Sequence, residues 1–147
     1  MNKPQEYRRD EHCVYLTDYH IVLPTKYRKS VIDDEIWKYL YGKLTEITQY
    51  YPKIYFKEAN HDKDHIHILV SIPPMMSVGS VIRLIKTNTA RKIKERFPIL
   101  KGHYWGTDSL WSSGYFISTV GITTETIRKY IANQGEQDTG QTAKLFD

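Results

Sequence analysis

Two histidines, His65 and His67, are separated by one residue in the run His61-Asp62-Lys63-Asp64-His65-Ile66-His67-Ile68-Leu69-Val70-Ser71-Ile72-Pro73-Pro74. From Ile66 to Ile72 this run is β-branched and loosely alternating, and two prolines end it, so the pattern predicts a strand. Side chains two apart on a strand share a face. His65 and His67 therefore project together, while Ile66, Ile68 and Val70 point into a core. Two imidazoles on a rigid strand are the start of a metal site. The plainer alternative is one packed polar histidine and one on the surface. A second pair lies near the C-terminus, where Tyr130 and Gln134 are four apart in Thr124-Glu125-Thr126-Ile127-Arg128-Lys129-Tyr130-Ile131-Ala132-Asn133-Gln134. On a helix these two share a face, with Ile127 and Ile131 as anchors. Two imidazoles and one amide oxygen can hold a divalent metal on one face and leave positions open for a phosphate. Tyr130 would then stand about one helical turn from the metal, where a phenol can attack phosphorus.

The elements that must position these groups can be read in order. Residues 3–11 are charged and predict a loose arm. Val14 to Leu23 predicts a first strand, ended by Pro24. A basic turn, Lys26-Tyr27-Arg28-Lys29, follows. Ser30 or Asp33 can cap a helix whose apolar stripe is Ile36, Leu40, Leu44, Ile47 and Tyr51. Lys53 to Glu58 predicts a second strand, paired as a hairpin with the histidine strand. Ser77 caps a second helix with the stripe Val78, Ile82, Ile85, Thr89, Ile93 and Phe97, and Pro98 stops it. Two short strands are expected around His103 to Trp105 and Tyr115 to Val120, flanking a Gly/Ser/Asp-rich loop. Thr123 can cap a last helix, closed by Gly135. The expected class is α+β: a ferredoxin-like, split βαβ antiparallel sheet backed by two helices, plus an extra C-terminal helix.

The chain has 147 residues, which suits one domain with a real core. We read 1–147 as that domain, with a core over about 12–121, a tyrosine helix over about 123–135 and a polar tail over 136–147. Its single cysteine, Cys13, excludes an internal disulfide and a thiolate zinc cage, and points to a reducing, cytoplasmic setting. No run is apolar enough to span a bilayer, so no membrane role is expected. The net charge of +4 is uneven. Arg83, Lys86, Arg91, Lys92, Lys94, Arg96 and Lys101 face a single acid, Glu95, over that stretch. Such a stripe can meet phosphates or simply be a solvated helix face. The 12 tyrosines invite a use as base-stacking surfaces beside basic turns. Lys26, Tyr27, Arg28, Arg83, Lys86, Arg91, Trp105 and Trp111 are the candidate DNA-contact residues; Tyr104 and Tyr115 are further candidate base platforms.

The Tyr27-Arg28 turn, Asp64-His65-Ile66-His67-Ile68-Leu69-Val70, the run WSSGYFISTVG from Trp111 to Gly121, and Tyr130-Ile131-Ala132-Asn133-Gln134 together resemble the single-tyrosine HUH transposases, the TnpA proteins of the smallest insertion sequences. The resemblance covers nearly the whole chain. It implies that His65, His67 and Gln134 bind Mg²⁺ or Mn²⁺ and that Tyr130 is the nucleophile. It implies cleavage and rejoining of single-stranded DNA through a 5′-phosphotyrosine link with a free 3′-OH. It also implies recognition of hairpins at element ends by a homodimer whose sites take histidines from one chain and tyrosine from the other. Such chemistry conserves the phosphodiester energy, in keeping with the absence of a G-x-x-x-x-G-K loop. Asp62, Asp64 and Glu58 are candidates to orient the histidines, and equally readable as turn residues. Imidazole suits zinc-like ions better than Mg²⁺, a tension within this ligand set. The competing readings are an HUH replication or mobilisation nickase, a host-domesticated hairpin binder, a non-catalytic nucleic-acid module on a ferredoxin-like sheet, and a small metal-dependent hydrolase.

Overall fold

The computed structural model describes residues 7–107 and 109–119. Tyr130, Gln134, the expected last helix and the polar tail lie outside the described residues.

The centre of the fold is an antiparallel four-stranded sheet. Its strands are β3 (Asp18–Pro24), β4 (Tyr55–His61), β5 (His65–Ser71) and β6 (Phe116–Thr119), in the order β4-β5-β3-β6. β5 lies between β3 and β4 and is antiparallel to both; β3 likewise separates β5 from β6. Helix α1 (Asp34–Tyr50) joins β3 to β4, and α2 (Val78–Arg96) leads from β5 towards β6. These are two interleaved split βαβ units, the expected ferredoxin-like arrangement.

Both helices start where the sequence supplies a side-chain cap. The Asp33 carboxylate accepts from the Ile36 amide at 2.8 Å, and the Ser77 hydroxyl from the Ser80 amide at 3.2 Å. Each bond satisfies a donor that the first helical turn leaves orphaned, a contribution of about 1 kcal/mol. From α1 the stripe Ile36, Leu40, Leu44 and Ile47 is buried; Tyr51 ends the helix in solvent. From α2 it is Val81, Ile82, Ile85, Thr89 and Ile93, with Val78 and Phe97 only half-buried. Both stripes join Ile21, Leu23, Ile66, Ile68 and Val70 in one core. The opposite face of the sheet carries the histidines.

The first strand differs from expectation. The apolar run from Cys13 to Pro24 breaks into β2 (Cys13–Tyr15) and β3, and β2 pairs with β1 (Arg8–Asp10) in a separate hairpin. The expected loose arm is thus ordered from Arg8 onward. Its guanidinium donates to the Ser71 hydroxyl at 2.9 Å and to the Lys53 carbonyl at 2.6 Å, and lies over the Tyr15 ring. At the break, the Thr17 carbonyl accepts from the Ile72 amide at 3.1 Å, beyond the end of β5. Uniform apolarity hid this corner, because a strand that changes partner keeps the same side-chain chemistry.

The strand expected at His103 to Trp105 is instead the end of a short helix, α3 (Ile99–His103), and the turn after it. Pro98 stops α2 as expected and starts α3, and the Tyr104 amide donates to the Leu100 carbonyl. The chain then turns at Gly106, whose φ of +82° suits a residue without Cβ. The last strand is shorter than expected by one residue at its start, Tyr115; Val120 lies outside the described residues. A β-bulge at Phe56/Glu58 in β4 aims Lys57 at Asp18 across the sheet, 2.5 Å apart and nearly fully buried. No helix among the described residues is long and apolar enough to cross a membrane.

Candidate functional site

His65 and His67 stand on one face of β5, a strand held on both sides, while Ile66, Ile68 and Val70 alternate into the core on the other. Their backbone is therefore fixed by two ladders, which is what a site needing fixed donors requires.

Each imidazole has a partner. His65 Nδ1 lies 2.8 Å from Asp64 Oδ1. A carboxylate can only accept there, so Nδ1 carries a proton, and in the neutral tautomer the lone pair lies on Nε2. Asp64 is held in turn by Arg28, whose Nε and Nη2 both donate to Oδ2, at 2.9 and 2.5 Å. Burial alone would raise the Asp64 pKa. Hydrogen bonds from His65 and Arg28, with the charges of the same two groups, outweigh it and hold the carboxyl below its ordinary value. Of the three candidate orienting acids, the structure assigns Asp64 that place. Glu58 instead accepts from Asn60, and Asp62 from the Lys63 amide.

His67 pairs with a residue that sequence reading missed. His20 Nδ1 lies 3.3 Å from His67 Nε2, with the two rings 16° from parallel. His20 is on β3, where Val22 stands opposite His67, so His20 is its diagonal neighbour on the same face. The signal was present: His20 alternates with the buried Ile21 and therefore had to face away from the core. Burial lowers the His67 pKa; His20 and His65 add to the effect and Glu58 opposes it. A neutral imidazole with a free lone pair is the form that binds metal. Among the described residues, no three His, Cys, Asp or Glu side chains are gathered about one point to hold a metal.

The basic turn is built to deliver Arg28. Tyr27 and Arg28 have φ of 59° and 50°, the left-handed region that non-glycine residues rarely occupy. Such conformations persist where surrounding bonds over-determine them. Here the Thr25 amide donates to the Asp64 carbonyl, the Arg28 amide to the Thr25 carbonyl, and the Lys26 amide to the Leu110 carbonyl, each at 2.9 Å.

The remaining candidates separate clearly. Trp111 is buried, and its Nε1 donates to the Thr89 hydroxyl at 2.8 Å, so its ring is a core element and not a base platform. Tyr104 is likewise buried. Arg28 is committed to Asp64. Lys86 reaches the Ser112 carbonyl at 2.9 Å and lies over the Tyr115 ring. Lys26, Lys86 and Ser112 line a groove of about 320 Å³. Arg91, Lys101 and Trp105 line another of about 540 Å³. Trp105 is 88 % exposed and Tyr27 51 %. Arg83 is exposed on α2.

The chain is similar to known transposases in sequence and in fold. The family described as IS200-like transposases matches residues 13–134. The transposase of insertion sequence element IS200 from Salmonella typhimurium is 34% identical over 127 residues, 86% of this chain and 82% of that protein. The ISDra2 transposase TnpA of Deinococcus radiodurans is 31% identical over 137 residues, 92% and 96% of the two chains. Among solved structures, a candidate transposase from Deinococcus radiodurans superposes with a TM-score of 0.78 at 28% identity, covering 92% of this chain and 99% of that one. A REP-associated tyrosine transposase bound to a REP hairpin shares the fold alone, with a TM-score of 0.51 at 15% identity over 95% and 77% of the two chains.

Proposed function

The chain belongs to the IS200-like transposase family, and on that premise we propose that it cuts and rejoins single-stranded DNA at insertion-sequence ends with Tyr130 as nucleophile. The observation that carries the proposal is the pair of same-face imidazoles on β5, with Asp64 and Arg28 behind His65. A carboxylate behind a ligating imidazole is the usual support of a metal-binding histidine.

The donor set fits a divalent metal. His65 would offer Nε2, burial lowers the His67 pKa and so favours its neutral form, and Gln134 would add an amide oxygen. The proposed ion is Mg²⁺ or Mn²⁺; when bound, it supplies charge stabilisation at the scissile phosphate. Tyr130 forms the new bond, from its phenolic oxygen to phosphorus, as its proton leaves. The bond from phosphorus to the 3′-oxygen breaks, and that oxygen takes up a proton as a free 3′-OH. The 5′-phosphotyrosine link conserves the phosphodiester, so attack by a 3′-OH restores both tyrosine and DNA. Single-stranded hairpin DNA is the proposed substrate, supported by the fold relative described as bound to a REP hairpin. Exposed Trp105 and Arg91 fit a surface for bases and backbone. A homodimer with shared sites is part of the proposal.

The test is covalent capture. Tyr130→Phe removes only the hydroxyl, so DNA binding should survive while the protein–DNA adduct disappears from a denaturing gel. EDTA should abolish cleavage by the unaltered chain. An adduct that persists in Tyr130→Phe would overturn the nucleophile, and undiminished cleavage in EDTA would overturn the metal.

A further inference from the structure

No packing contact among the described residues accounts for a tyrosine at position 27. Tyr27 and Arg28 both stand in the left-handed region, with φ of 59° and 50°. A residue with a Cβ is strained there and glycine is not. Arg28 uses that conformation to reach Asp64. The Tyr27 ring does nothing comparable inside the protein. It is 51 % exposed, and it meets the Lys26 ammonium, 5.2 Å from the ring centre. Strain kept for an exposed aromatic ring points to a ligand. The surroundings say which one. Lys26 lines the groove of about 320 Å³ where α2 meets the chain from 109 to 113, together with Lys86, Thr87 and Ser109. Ligand sites run from about 300 to 1,000 Å³, so this is a site for something small. Two ammonium groups line it, and among the described residues no acid does. Its charge is complementary to a phosphate. The turn is also fastened on both sides of Tyr27 to the residue before His65. The Thr25 amide donates to the Asp64 carbonyl at 2.9 Å, and Arg28 holds the Asp64 carboxylate whose other oxygen faces His65.

We propose that Tyr27 is a stacking platform for one unpaired base of the DNA strand, and that Lys26 and Lys86 hold the adjoining phosphate in the groove. The inference rests on the single-stranded DNA reading of the chain and deepens it. It gives that strand a grip made of described residues, independent of any metal. Because the turn is bonded to Asp64, a base stacked on Tyr27 sets the register of the strand against β5. Stacking tolerates any sequence, since every base has a π-face. The platform therefore positions the strand and leaves the choice of sequence to other contacts.

The experiment measures the affinity of the full chain for fluorescein-labelled oligothymidine, a strand that forms no hairpin. Fluorescence anisotropy is read in EDTA, so that no metal takes part. Tyr27→Ala should weaken binding roughly 5- to 150-fold, the size of one base–aromatic stack. Tyr27→Phe keeps the ring and should bind as the unaltered chain does. Tyr27→Gly relieves the left-handed backbone, so it should melt no lower than Tyr27→Ala and yet bind as poorly. Lys26→Gln should lessen the slope of log affinity against log salt by about 0.7, the share of one phosphate contact on a single strand. Unchanged affinity in Tyr27→Ala would overturn the platform. So would an equal loss in Tyr27→Phe, or a Tyr27→Gly chain that binds normally. Covalent capture of hairpin DNA by the unaltered chain separates the two layers. If the adduct forms and Tyr27→Ala still binds oligothymidine normally, or the unaltered chain binds none, the transposase reading stands and the platform falls. If the unaltered chain neither binds oligothymidine nor forms an adduct, both fall.

Discussion

Arg28 is a residue whose type alone misleads. In a basic turn next to tyrosine it reads as a phosphate contact, yet its guanidinium is spent on one oxygen of Asp64, whose other oxygen faces His65. On the proposed metal reading, its influence would run through Asp64 and His65, and that gives a distinctive forecast. Arg28→Ala should lower metal affinity by about 10–100-fold, because Asp64 no longer fixes the His65 ring. Affinity for single-stranded DNA, measured without metal, should stay near that of the unaltered chain. Arg28→Lys should restore only part of the loss, since an ammonium supplies a point charge where the guanidinium supplies a fork. The opposite pattern, DNA binding lost and metal binding kept, would return Arg28 to the phosphate contacts.

The tryptophans show how an element decides what a residue does. Trp111 lies on the chain segment bridged to Thr25, and its indole N–H is satisfied inside the core by Thr89 of α2. Trp105 sits on the turn after α3 and is almost wholly exposed. Trp111→Ala should therefore cost about 3–5 kcal/mol in urea unfolding, as for other large core truncations. Trp105→Ala should change stability by less than about 0.5 kcal/mol yet weaken binding to single-stranded DNA by about 1–3 kcal/mol, the scale of one base–aromatic stack. Equal effects of the two substitutions on binding would count against this division. The sequence could not make it, because both residues lie in glycine- and serine-rich surroundings with no periodicity to assign a face. Where periodicity was strong, the reading was sound: the caps Asp33 and Ser77, the stripes of α1 and α2, and the shared face of His65 and His67 all follow from spacing. The corner at Thr17 and the helix at Ile99–His103 escaped because local pattern does not record a change of strand partner or a helix of five residues. His20 escaped for a different reason: its relation to His67 spans 47 positions and exists only once β3 lies beside β5.

For the whole molecule the question is how the histidine sheet meets the tyrosine. The described residues form the interleaved sheet and its two backing helices, with both histidines on the face that α1 and α2 leave uncovered. Tyr130 follows Gly121-Ile122-Thr123 in sequence, a run whose glycine tolerates dihedrals closed to other residues and which the sequence pattern places before the expected tyrosine helix. A terminal element on such a link can serve its own sheet or that of a second copy, and exchanging one is an inexpensive route to a symmetric dimer. The two arrangements differ in a mixed dimer. One chain carries His65→Ala and His67→Ala; the other carries Tyr130→Phe. Each homodimer lacks either the proposed metal donors or the proposed nucleophile and should be inactive. With shared sites, the histidines of the Tyr130→Phe chain meet the tyrosine of the histidine-less chain, and one complete site forms. If each chain builds its own site, neither is ever complete. The expected outcome is cleavage of single-stranded hairpin DNA by the mixed dimer, with the covalent adduct carried only by the chain that retains Tyr130. Tagging the two chains with different masses makes that assignment visible on one gel. A verified heterodimer that forms no adduct would show that histidines and tyrosine belong to the same chain.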